Sequence, residues 1–159
     1  MSEGPLQPGT PVPELTLKRE DGADFTRADL VGHTTLLVFY PFAFSPVCTD
    51  QLGLYEEVLS DYLAKRDVVM YGVSCDSGWS QTAFKEKLGV SIPQLSDFEP
   101  KGEACRALGV YHPGGFPQRA LMIVGPDGVV AWSYQAPSPG ELPGANLIFD
   151  GLDALAART

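Results

Sequence analysis

The segment from Thr35 to Ala64 constrains the fold more than any other part of the chain. Thr35-Leu36-Leu37-Val38-Phe39-Tyr40 is a continuous β-run without polar alternation, as a strand buried on both faces requires. Gln51 to Ala64 carries Leu52, Tyr55, Val58, Leu59 and Tyr62 at helical spacing. The connection is short and ends Pro41-Phe42-Ala43-Phe44-Ser45-Pro46-Val47-Cys48. A buried strand therefore delivers a cysteine to the first turn of a helix. There the free backbone N–H groups and the helix dipole favour a thiolate, which is the nucleophilic form of the side chain.

The rest of the chain fits around this unit. Leu15–Leu17 and Ala23–Thr26 flank the charged turn Arg19-Glu20-Asp21-Gly22, a hairpin signal. Thr26 to Leu30 reads as a capped helical turn ended by Gly32. Asp67 to Ser74 is a second buried strand, and Ser80 to Leu88 a helix closed by Gly89. Pro100 to Leu108 reads as a helix closed by Gly109, and Arg119 to Val124 as a third buried strand. Gly125-Pro126-Asp127-Gly128 is a hairpin turn, from which Val129 to Tyr134 returns antiparallel. Pro137 to Pro143 is a loop, and Asn146 to Ala157 a terminal amphipathic helix. Strand–helix–strand alternation with a tight hairpin gives an α/β class: a mixed central β-sheet flanked by helices, in one domain spanning residues 1–159.

Composition narrows the function. The net charge of −9 argues against nucleic acid or an anionic membrane as partner, since both call for a basic surface. No apolar run approaches the ~20 residues of a membrane-spanning helix. Met1 to Pro13, rich in Gly and Pro, has neither the basic nor the apolar region of a secretory leader, so a cytoplasmic location is expected. The three cysteines, Cys48, Cys75 and Cys105, form neither a disulfide scaffold nor a zinc motif. His33 and His112 are isolated and read as loop residues. No cofactor or metal is expected.

The pattern Pro41-x-x-x-Ser45-x-x-Cys48, in its strand–loop–helix setting, resembles the active-site motif of the peroxiredoxins, thiol-dependent peroxidases. The resemblance runs from about Gly4 to Leu155 and implies a thioredoxin-like fold with an N-terminal β-hairpin extension. It also assigns roles. Cys48 would be the peroxidatic cysteine, oxidised by hydroperoxide to sulfenic acid. Ser45 would hydrogen-bond the peroxide oxygens, and Pro41 would shield Cys48 and shape the loop. Threonine is the family's usual residue at Ser45; serine keeps the hydroxyl but loses the methyl that fixes its rotamer. Arg119, ahead of a Gly-containing hairpin, matches the family's arginine, a permanent cation with a rigid donor fork. Gln51, where many members have Glu, would orient Arg119. Gly72-Val73-Ser74-Cys75-Asp76-Ser77, Leu95-Ser96-Asp97 and Leu108-Gly109-Val110-Tyr111 are similar to the bacterioferritin-comigratory (Q-type) and alkyl hydroperoxide reductase E branches. That similarity also implies a homodimer.

Many Q-type members carry a resolving cysteine five residues after the peroxidatic one, where this chain has Gly53. The helix Ser80–Leu88 has no cysteine, and there is no C-terminal Val-Cys-Pro element. A one-cysteine mechanism with an external thiol or redoxin as reductant is therefore expected. Cys75 and Cys105 stay open as resolving residues or as small buried side chains. Two other classes compete: a redox-inert thioredoxin-like binding module and a monothiol reductase or transferase. Intact Cys48, Ser45 and Arg119 favour the peroxidase.

Overall fold

The computed structural model describes residues 4–158; residues 1–3 of the Gly/Pro-rich N-terminal segment and residue 159 lie outside them. Among the described residues, seven strands join one mixed sheet in the order β2-β1-β5-β4-β3-β8-β9. They are β1 (Thr16–Arg19), β2 (Asp24–Thr26), β3 (Thr34–Phe39), β4 (Val68–Ser74), β5 (Gln94–Ser96), β8 (Ala120–Val124) and β9 (Val130–Gln135). A separate two-stranded ladder pairs β6 (Tyr111–His112) with β7 (Phe116–Pro117). The helices are α1 (Pro46–Ala64), α2 (Gly78–Leu88), α3 (Glu103–Ala107) and α4 (Ala145–Arg158), with a 3-10 turn over Arg27–Leu30.

β3 lies at the centre. It runs parallel to β4 and antiparallel to β8, with Leu36 opposite Met70 on one side and Ile123 on the other. Its alternation splits the core into two layers. Leu36, Val38 and Tyr40 face a cluster with Cys48, Leu52, Tyr55 and Leu59 of α1, Phe84 of α2 and Ile148 of α4. Leu37 and Phe39 face the other layer, with Leu17, Phe25, Leu95, Leu108, Cys75 and Cys105. β3 is thus covered on both faces, which explains its uninterrupted β-run.

The observed elements depart from the sequence expectation at several boundaries. α1 starts at Pro46, five residues before Gln51. Proline's fixed φ suits the first helical position and Ser45 is extended at the N-cap, but apolar spacing alone starts only further on. α3 is shorter than Pro100–Leu108, because Gly102 takes a left-handed φ of 75° and the helix begins after it. A Cβ there would sit 2.3 Å from the Tyr111 ring. β5 and the β6–β7 pair were not legible as strands. β5 is only three residues long and two of them are polar, with their side chains satisfied inside the fold. Gln94 accepts from the Tyr40 hydroxyl (2.6 Å), and Ser96 donates to the Asp76 carbonyl (2.6 Å). His112 lies in β6 rather than in a loop.

Candidate active site

The site forms where the C-terminal end of β3 meets the start of α1. Pro41 is buried at the turn. The following loop is held by Asp76, whose Oδ2 accepts from Ala43 N at 2.7 Å. Phe44 then adopts φ 71°, an uncommon conformation for a residue with a side chain, and leads the chain into Ser45. Its ring packs against Phe84, centroids 5.2 Å apart. Ser45 makes no side-chain capping bond, and its buried hydroxyl has no hydrogen-bond partner among the described residues. Cys48 occupies the first turn of α1 and is fully buried.

Arg119 precedes β8, the strand next to β3, so antiparallel pairing carries it to the same sheet end as Cys48. Arg119 is 2% exposed, and each of its three guanidinium nitrogens donates a hydrogen bond. Nη2 donates to Cys48 Sγ at 3.1 Å, Nη1 to Gln51 Oε1 at 2.5 Å and Nε to the Pro139 carbonyl at 2.7 Å. Gln51 is itself fully buried, and its Nε2 donates to the Tyr55 hydroxyl at 3.4 Å. Tyr55 in turn donates to the Pro143 carbonyl at 2.6 Å. Burial, partly offset by the bond from Gln51, pushes the Tyr55 phenol up to about 12, so it stays protonated and donates its hydrogen bond at neutral pH. The neighbouring Tyr40 phenol is also pushed up by burial.

Sequence reasoning placed Cys48, Ser45, Pro41, Gln51 and Arg119, and all five gather here. It missed Tyr55, Asp76 and the Pro139 and Pro143 carbonyls. Tyr55 lies four residues after Gln51, on the same helix face, and that spacing was the available signal. The two carbonyls sit in an irregular loop and leave no mark in the sequence.

Ser45 and Arg119 open onto a pocket of about 280 Å³, walled by Pro41, Phe42, Phe116 and Pro139, and Cys48 lies one contact behind Arg119. A larger cleft of about 660 Å³ lies elsewhere, between the β1–β2 turn and the start of α2, and contains none of these residues. Cys75 and Cys105 stand apart from Cys48, in the opposite core layer. With Asp97 they form a group of potential metal-ligating atoms, all within 4.8 Å of one another.

Residues 8–133 match the family model described as the AhpC/TSA family. The chain is 36% identical over 111 residues to Peroxiredoxin bcp1 of Schizosaccharomyces pombe, covering 69% of this chain and 55% of that protein. It is 28% identical over 154 residues to Alkyl hydroperoxide reductase E of Mycobacterium bovis, covering 96% and 99%. Against some curated relatives, therefore, the chain spans only about half the relative's length. Among solved structures, Enterococcus faecalis AhpC superposes with a TM-score of 0.84 at 25% identity, over 95% of this chain and 93% of that one.

Proposed function

The chain belongs to the AhpC/TSA peroxiredoxin family, and from that premise we propose that it is a thiol-dependent peroxidase in which Cys48 reduces hydrogen peroxide and organic hydroperoxides. The observation that carries this reading is the 3.1 Å contact between Arg119 Nη2 and Cys48 Sγ at the start of α1. A guanidinium and a helix N-terminus both favour the thiolate over the thiol. The thiolate attacks the outer oxygen of ROOH. The S–O bond forms as the O–O bond breaks, and the alkoxide leaves as ROH after taking a proton. The Ser45 hydroxyl, buried and unpartnered, is placed to bond the peroxide, and Arg119 to stabilise the charge that moves onto the leaving oxygen. Gln51 and the Pro139 carbonyl hold the guanidinium in one orientation. Buried Pro41 keeps water from the sulfur.

The product is Cys48 sulfenic acid. An external thiol or a redoxin then attacks it, releasing water and forming a mixed disulfide, which a second thiol resolves. The separation of Cys75 and Cys105 into the other core layer supports this one-cysteine cycle. The chemistry draws its electrons from thiols and calls for no cofactor. We place the enzyme in the cytoplasm as a single-domain protein. No helix among the described residues is long and apolar enough to cross a membrane, which is compatible with that placement. A homodimer would cover Phe42 and Phe44, which are 49% and 48% exposed beside the pocket; sedimentation showing only monomer would remove that part.

The test is intact mass after one equivalent of hydrogen peroxide, with and without dimedone. A single adduct on Cys48, absent in Cys48→Ser together with the fast phase of peroxide loss, is the expected result. A Cys48→Ser variant that consumes peroxide as fast as the wild type would overturn the assignment.

A further inference from the structure

Cys75 and Cys105 take no part in the chemistry at Cys48, yet they lie together. Cys75 follows the last residue of β4 and Cys105 lies in α3. Their sulfurs and a carboxylate oxygen of Asp97 are all within 4.8 Å of one another. Access to them is unequal. Cys75 lines a pocket of about 300 Å³ with Pro41, Phe42, Asp76 and Phe98, whereas Cys105 is fully buried. A small oxidant can therefore meet Cys75 first and Cys105 only through it.

Two thiols and a carboxylate could in principle hold a thiophilic cation. Here the carboxylate is already committed. Asp97 Oδ2 accepts from Cys105 N at 2.8 Å and Oδ1 from Ala104 N at 3.2 Å, which fixes the start of α3. Two thiolates beside a buried carboxylate would also carry a heavy desolvation cost. The arrangement suits a dithiol better than a metal site. We infer that Cys75 and Cys105 form a second redox centre, which hydroperoxide oxidises to an internal Cys75–Cys105 disulfide independently of Cys48.

The Cys75 sulfur, as thiolate, attacks the outer oxygen of ROOH, giving Cys75 sulfenic acid and, after protonation, ROH. The Cys105 sulfur then attacks the Cys75 sulfur and expels hydroxide. The Cys105 proton passes to that hydroxide by way of the Asp97 carboxylate, and water leaves. The sum is two thiols plus ROOH giving a disulfide, ROH and H2O; an external dithiol reverses it by exchange. The neighbouring Cys75 thiol, and then burial, push the Cys105 thiol up, so it keeps its proton until it condenses. Burial raises the Asp97 carboxyl despite the amide bonds it accepts, which makes it a better proton acceptor.

The inference does not rest on the role given to Cys48, and the experiment keeps the two apart. Trypsin releases the three cysteines on separate peptides, spanning residues 28–65, 67–85 and 102–106. The full chain and its Cys48→Ser variant are treated with excess hydrogen peroxide, alkylated and mapped without reduction. In both, peptides 67–85 and 102–106 are expected as one cross-linked species, with intact Cys48→Ser losing two hydrogens and taking no dimedone. In Cys105→Ala, oxidised in the presence of dimedone, the adduct is expected to appear on Cys75. Alkylated, unlinked Cys75 and Cys105 in the oxidised wild-type chain would overturn the inference, and so would a Cys48–Cys75 link or a persistent Cys75 adduct while Cys105 is present.

Discussion

Replacing Arg119 with methionine removes three hydrogen bonds, to Cys48, Gln51 and the Pro139 carbonyl, while keeping much of the side-chain volume. Only the first of these bears directly on reactivity. A hydrogen bond to a charged partner contributes about 1.5–3 kcal/mol, and if the contact with sulfur is lost in the transition state the rate should fall about 10- to 150-fold. Stability should move less than the sum of three bonds, because the variant also removes a buried charge that is costly to desolvate. Arg119→Lys is the companion. One ammonium cannot reach the three acceptors at once, so its rate should fall between those of the wild type and Arg119→Met. The assay is the rate of hydrogen peroxide loss in a single turnover with reduced protein in excess, alongside urea unfolding of each variant. An Arg119→Met protein that unfolds like the wild type yet stays within about threefold of its rate would refute the reasoning.

Gln51→Leu should slow the same single turnover by about 2- to 10-fold, less than Arg119→Met, because it frees the guanidinium without removing it; an equal or larger loss would mean that Gln51 touches substrate. In Gly151→Ala the new Cβ would lie 2.6 Å from the Trp132 ring and 2.7 Å from Ile123, so the Trp132 ring or α4 itself must shift. Destabilisation of about 1–3 kcal/mol in urea unfolding should follow, with altered Trp132 fluorescence. Burial acts to raise the Glu56 carboxyl, but the Ser91 hydroxyl and amide, each donating at 2.7 Å, hold it below its ordinary value of 4.5. A carboxyl lowered on folding stabilises above its unfolded value and loses that contribution as pH falls through its folded one. The stability gap between wild type and Glu56→Gln should therefore be full at neutral pH and close below about 4.5; a gap that widens on acidification would contradict this.

Most of the fold was legible because its elements announce themselves locally. β3 and β4 read as buried strands, and α2 ends at Gly89, with φ 69°, where the sequence indicates. β5 was not legible, because its burial is made possible by Tyr40 and Asp76, residues that reach it only after the chain folds. The short β6–β7 ladder left no periodicity to detect in four residues.

By itself the sequence determined that a buried strand ends in a loop with Pro41 and Ser45 at fixed distances before a cysteine in the first turn of a helix. Those relations span a few residues and follow from backbone geometry, so no tertiary contact is needed to read them. Tertiary structure alone decided what surrounds that sulfur. Arg119, 71 positions along the chain, reaches Cys48 only because β8 pairs antiparallel with β3 in one particular register. The carbonyls that fix Arg119 and Tyr55 come from the loop between β9 and α4. Which side of the sheet each cysteine occupies was equally out of reach. It depends on how α1 and α3 cover opposite faces, a matter of packing two helices onto one twisted sheet rather than of spacing along the chain.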